Sequence, residues 1–177
     1  MDFRFENFVE HWCSIYKPLQ HVPGDRSKNK RFFLTDTTYL GMADFMTNID
    51  SRISACVVME GAVEGTTKGG LDMPSETIYF FVKADKMQSG RSARNAMYEA
   101  KKHKEEFVKY MREQQKLGVE ELQQFNLDER ISYEPLGPLY NGWYAIYITL
   151  DNVQQMNMCT NPDDYIENPK IPYNRQQ

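Results

Sequence analysis

The chain has 177 residues, a formal net charge of −4, 41% hydrophobic and 26% charged residues, and a sequence pI of about 5.4. That length holds one real hydrophobic core and is short for two. The acidic balance excludes a general nucleic-acid binder, which needs a basic face to neutralise phosphates, and no apolar run approaches the roughly twenty residues that cross a bilayer.

Phe5, Phe8, Val9, Trp12, Ile15, Tyr16 and Leu19 recur at steps of three or four, one continuous helical stripe. Pro18 predicts the end of this helix, because proline removes a hydrogen bond and clashes with the preceding turn. HVPGDRSKNK reads as a loop and RFFLTD as a short strand. Tyr39, Met42, Phe45, Met46 and Ile49 return to helical spacing behind a cap at Asp36–Thr38, which predicts a second helix over 37–50, weakened by Gly41.

Two β-prone runs follow, ACVVMEGA (55–62) and TIYFFVKA (77–84). In the second, Ile78, Phe80, Val82 and Ala84 share one face, and Tyr79, Phe81 and Lys83 share the other. Both faces are largely apolar, so the sheet is expected to be covered on both sides. Between the runs lies VEGTTKGGLDMPSE, residues 63–76, far longer than the two to five residues a hairpin needs. This long hairpin loop is either slack or a segment that orders on a partner.

The clearest helix runs through SARNAMYEAKKHKEEFVKYM. Ser89 or Ser92 caps its start and Gly118 stops it. Ala93, Met97, Ala100, Lys104, Phe107, Val108 and Met111 mark its inner stripe. A helical piece near VEELQQF comes next, then a strand at ISYEP, a turn at LGPLYNG and a strand at GWYAIYITL. Residues 151–177, with three prolines and no period, read as an extended C-terminal tail carrying one edge strand. The sum is a single α+β domain over 1–150 with a largely antiparallel sheet.

Chemistry is scarce. GAVEGTTKGG lacks the GxxxxGK[ST] order of a phosphate loop, and HKEEF around His103 lacks the HExxH spacing that puts two imidazoles on one metal. His103 is expected on a surface helix, His11 in solvent, and His21 without a partner. Asp163 and Asp164 are adjacent and point apart on an extended chain, whereas an acid/base pair converges. The serines sit in caps and turns, not in a GxSxG elbow. Cys13, Cys56 and Cys159 are odd in number with no CxxC, which fits a reducing compartment and places Cys56 in the core. Arg26, Lys28, Lys30 and Arg31, and Lys101, Lys102 and Lys104, read as solvated basic stretches. The start, MDFRFENFVEHW, is acidic where an export signal is basic and apolar, so the expectation is a soluble, non-enzymatic protein made in the cytoplasm. Ten Met and 13% aromatic residues fit either a private core or a surface that packs against partners.

The order of FENFVEHWCSIYKPL, ACVVMEGA with TIYFFVKA, SARNAMYEAKKHKEEFVKYM and GWYAIYITL resembles the tail terminator (tail-completion) proteins of tailed bacteriophages, over most of residues 5–150. The resemblance lies in element order and size rather than a signature motif, so no catalytic or cofactor-binding residue is carried across. It implies a virion protein at the head–tail junction, made in a bacterial host. Its fold would form a self-associated ring, usually of six copies, that caps a tail tube and joins it to the head. Its partners are tail-tube and head–tail connector proteins, with no membrane and no sequence-specific nucleic acid, and it implies no cofactor and no chemistry. The helix at 37–50 and the tail after 151 depart from the minimal pattern and suit a head–tail connector or another minor tail protein as well. Within this reading Gly65, Thr66, Thr67, Lys68, Gly69, Gly70 and Leu71 form the interaction loop, with Lys68 its one cation. A small-ligand or peptide-binding α+β module, with Tyr and Trp lining a pocket, is the alternative of another class.

Overall fold

The structure is a computed structural model and describes residues 4–23, 29–35, 49, 51–60, 64–68, 71–86, 89–127, 131–152 and 154–155. The expected helix over 37–50 (apart from Ile49), Arg26 and Lys28 of the first basic stretch, most of the tail, Cys159, Asp163 and Asp164 lie outside these residues.

In chain order the elements are α1 (Phe5–Ile15), β1 (Phe32–Thr35), β2 (Ala55–Glu60), β3 (Glu64–Lys68), β4 (Leu71–Lys83), α2 (Gly90–Lys116), β5 (Tyr133–Leu136), β6 (Trp143–Asp151) and β7 (Gln154–Gln155). Helix and sheet make an α+β fold, as the order of periodic segments predicts. One sheet runs β1-β2-β4-β6-β5. Its pairs are antiparallel except β1 with β2, which run parallel from Phe32↔Val57 to Thr35↔Glu60, so the sheet is mixed. A parallel pair needs a crossover of a dozen or more residues, and the chain between Thr35 and Ala55 is long enough to supply one.

β4 is the axis. It pairs with β2 from Ala55↔Val82 to Met59↔Ile78 and with β6 from Ser75↔Asp151 to Lys83↔Trp143. Alternation then sorts its side chains. Ile78 and Phe80 join Val57, Met59, Ile148 and Leu150 in the main core, where α1 contributes Phe5, Val9 and Trp12 and α2 contributes Phe107, Val108 and Met111. Tyr79 and Phe81 join Cys56, Val58, Trp143 and Ala145 in a second core on the opposite face. Both faces are buried, as expected from their apolar character. The main core is aromatic at its centre: Phe107, fully buried, lies 5.1 Å from the Trp12 ring and 5.8 Å from Phe80.

α1 ends at Ile15 with Tyr16 already extended, three residues short of Pro18, so the stripe's last members leave the helix and Ile15 is 53% exposed. α2 starts where expected: the Ser89 side chain accepts the Ser92 N–H, and Gly118 sits at φ +87 just past the helix. Its inner stripe shifts slightly. Ala96 and His103 are buried, while Ala93 and Met97 are half-buried. Between β5 and β6, Gly137 has φ +132, and a Cβ there would stand 2.8 Å from Tyr144 Cδ1; both facts require glycine.

Within the expected loop at 63–76, residues 64–68 and 71–76 are instead paired backbone. β3 runs antiparallel to the first half of β4, from Glu64↔Ser75 to Lys68↔Leu71, leaving two residues, Gly69 and Gly70, between the paired ends. On the other side of β4, Leu71↔Gln155 and Asp72↔Gln154 add β7, the edge strand expected within the tail. The isolated bridge Phe125↔Asn152 also ties a residue just past 150 to the segment after α2. β-branched Thr66 and Thr67 and a two-residue Gly-Gly link favour such a hairpin.

Candidate functional site

Two places gather what could act on another molecule. The first is the three-stranded ribbon β3–β4–β7. Of the expected interaction residues, Gly65, Thr66, Thr67 and Lys68 lie in β3 and Leu71 opens β4; Gly69 and Gly70 lie outside the described residues. The ribbon thus brings the described members of the sequence-derived set together on two neighbouring strands. β3 and β7 each pair with β4 alone, so each presents an outer edge with unpaired backbone groups among the described residues, the arrangement that templates pairing with another chain.

The second place was not legible in the sequence. Where β2 begins and β4 ends, two adjoining pockets of about 240 Å³ and 550 Å³ share Pro18, Ser54 and Ala55 in their walls. The smaller is lined by Lys83, Asp85, Ser92, Asn95, Glu99 and His103 among others, the larger by Lys17, Gln20, His21, Asn29 and Arg31 among others. Gln20 holds φ 50, a left-handed conformation that is strained for a non-glycine residue.

Both histidines differ from expectation. His103 is 2% exposed, and its Nδ1 lies 3.2 Å from the Tyr16 hydroxyl. Burial holds its pKa below the ordinary histidine value, against the nearby Glu99 carboxylate, which raises it. It belongs to the stripe Ala96, Ala100, His103, Phe107, Met111 at steps of four and three; the surrounding lysines and glutamates of KKHKEEF conceal that spacing. His21 is 3% exposed. Its Nδ1 accepts the Arg31 N–H at 2.9 Å, so the ring proton sits on Nε2, 3.0 Å from Glu10 Oε1. These partners lie 10 and 11 residues away, and no local pattern announces them. His11 is exposed, as expected.

The basic stretch on α2 is split. Lys104 is buried with its ammonium 4.5 Å from the Tyr133 ring centre, whereas Lys102 is exposed. Lys30 stands 5.1 Å over Phe33. Cys13 and Cys56 are both buried free thiols, and burial pushes both thiols upward in pKa, so neither is an activated nucleophile. Among the described residues no serine or cysteine side chain hydrogen-bonds a histidine ring, no group of three His, Cys, Asp or Glu could hold a metal ion, and no helix is long and apolar enough to cross a membrane. The cleft offers hydrogen-bond donors and acceptors rather than an assembled nucleophile and base.

No family model matches the chain, and no curated protein is similar to it.

Proposed function

We propose that the protein is a non-enzymatic structural subunit of a phage tail or phage-like particle, acting in the manner of a tail terminator at the head–tail junction. The observation that carries the reading is the ribbon. A thirteen-residue β4 serves the body of the sheet with its second half and supports β3 and β7 with its first. Open ladder edges on both sides suit pairing with a neighbouring subunit. The subunit closes on itself as a ring, usually of six copies, and meets tail-tube and connector proteins through Gly65–Leu71. It uses no cofactor and performs no reaction.

Native mass spectrometry and light scattering of the purified chain, alone and mixed with a tail-tube protein, test this. A closed oligomer, or one that appears on mixing, is expected. A chain that stays monomeric in both settings overturns the reading.

The paired pockets favour a second reading, a small-ligand or peptide-binding module. Ser54 lines both pockets and is exposed, so Ser54→Trp fills the cleft without touching the core. Under the structural-subunit reading this variant assembles normally. Under the binding-module reading it loses ligand-induced thermal stabilisation while wild type, monomeric throughout, retains it.

A further inference from the structure

We infer that copies of this chain associate head to tail, the exposed carboxylates bordering the second core of one copy meeting the basic first half of α2 on the next. The inference rests on the structural-subunit reading and names the contact that would build its ring.

The acidic side is prearranged. Glu60, Glu134 and Asp151 each accept a hydroxyl hydrogen bond from an adjacent strand: Tyr79 Oη to Glu60 at 2.5 Å, Tyr147 Oη to Glu134 at 2.6 Å and Ser75 Oγ to Asp151 at 2.7 Å. Alternation puts all three on the face opposite the helices, because Tyr79 belongs to the second core and Tyr147 packs against it, and Ser75 and Asp151 are paired in the same register. Glu134 and Asp151 are exposed. Among the described residues none of the three has a cation at ion-pair distance.

The basic side lies on the other face of the sheet, where α2 packs. Residues 90–104 carry five Lys and Arg against one carboxylate, Glu99, and the first turn of α2 has no acid. Cations near a helix N-terminus oppose the macrodipole, an arrangement that weakens the helix by about 0.3–1 kcal/mol for each well-placed charge. Arg91, Arg94 and Lys102 are exposed and make no ion pair among the described residues. Tyr98, 57% exposed, lies under the Arg94 guanidinium at 5.6 Å and accepts its Nη2–H at 3.1 Å. An exposed Tyr–Arg pair amid unpaired cations is the composition of an interface anchor.

Complementary patches on opposite faces fix the symmetry of the contact. A two-fold dimer would have to bring patches from both faces of each copy into one interface, whereas a head-to-tail contact sets carboxylates on cations and closes into a ring when the rotation allows. A basic helix patch alone would equally attract nucleic acid, but the unpaired carboxylates across the sheet favour a second copy.

Charge exchange in the full chain tests this. Glu134→Lys with Asp151→Lys is one variant, Arg91→Glu with Lys102→Glu the other, both at exposed positions. Each alone should self-associate at least roughly tenfold more weakly than wild type, with unchanged melting by circular dichroism. An equimolar mixture should assemble again, because each reversed patch then meets its complement. Wild-type association should weaken from about 50 mM to about 500 mM salt. If both variants assemble as wild type does, or the mixture of folded variants stays apart, the contact is wrong while the structural reading stands. A basic-patch variant that loses only DNA retention also overturns it. A wild type that never assembles, with or without a tail-tube partner, overturns both.

Discussion

Glu76 and Asn152 stand diagonally across β4 and the residue after β6, on the face that α1 covers, each with a buried side-chain oxygen that no donor reaches among the described residues. Glu76 pairs with Leu150, and the Asn152 N–H donates to the Pro74 carbonyl at 2.8 Å, which puts the two on the same side of the sheet. Both are 9% exposed, and Glu76 Oε2 and Asn152 Oδ1 are the unsatisfied atoms. The charged group that acts on Glu76 is Glu6 of α1. Burial first, and Glu6 second, push the Glu76 carboxyl above its ordinary value of 4.5.

A carboxyl whose pKa is raised on folding stabilises the fold fully below the unfolded value, and that contribution is lost as pH rises through the folded value. Wild-type melting temperature should therefore fall as pH is raised from about 4 toward 8 by this group's contribution. Glu76→Gln removes the charge and adds a donor, and should stabilise the protein near neutrality by about 1–2 kcal/mol while flattening the slope. Thermal melts across that range decide it; an unaltered slope in the variant shows that Glu76 does not titrate there.

Phe107 is the centre of the main core. Phe107→Ala should lower stability by about 3–5 kcal/mol, and Phe107→Asp should leave no cooperative transition, since a buried unpaired carboxylate adds several kcal/mol against a total of about 5–15. Chemical denaturation measures the first and the yield of soluble protein the second. A soluble, cooperatively melting Phe107→Asp would remove this residue from the core.

His21 clamps α1 to the entry of β1. His21→Ala strands the Arg31 N–H and one Glu10 contact and should cost about 1–3 kcal/mol, whereas His11→Ala, on the exposed side of the same helix, should stay within about 0.5 kcal/mol. Hydrogen exchange localises the effect: the Arg31 amide should lose protection in the first variant and keep it in the second. Equal effects from the two would mean that the clamp contributes nothing specific.

Deleting Thr66–Leu71 removes the outer part of the ribbon and leaves the β2–β4–β6 pairing untouched, so melting should stay within about 1 kcal/mol of wild type. Assembly should fail instead, with complemented particles showing tails of uncontrolled length or separated heads and tails by electron microscopy. Lys68→Glu should weaken assembly mildly, since one exposed ion pair is worth about 0–1 kcal/mol. Normal particles from the deletion would leave the ribbon without a role.

Periodicity carried the elements with strong apolar patterning: α1, α2, β2, the second half of β4 and β6 stand where their stripes and alternations put them. It failed where pairing rather than burial makes the element. β3 is Glu-Gly-Thr-Thr-Lys, with no apolar alternation to detect, and it exists because β4 runs on past the core and offers a ladder. The parallel placement of β1 had no signal either, because four residues specify neither neighbour nor direction. At the cleft, His21 is assembled from a helix, a loop and a strand entry, contacts that belong to tertiary structure alone. His103 was legible in principle, by its place in the stripe of α2, and was hidden by its charged neighbours.

The length of β4 has a mechanical consequence. One strand carries both the ribbon and the centre of the sheet, so a pull on the ribbon tip travels along β4 rather than peeling away a separate flap. The ladder bonds to β2 and β6 lie perpendicular to that pull, and they bear it side by side, in shear. A load that would open an edge strand one bond at a time must here break many together. Tension applied at this ribbon is therefore resisted with the strength of the whole sheet.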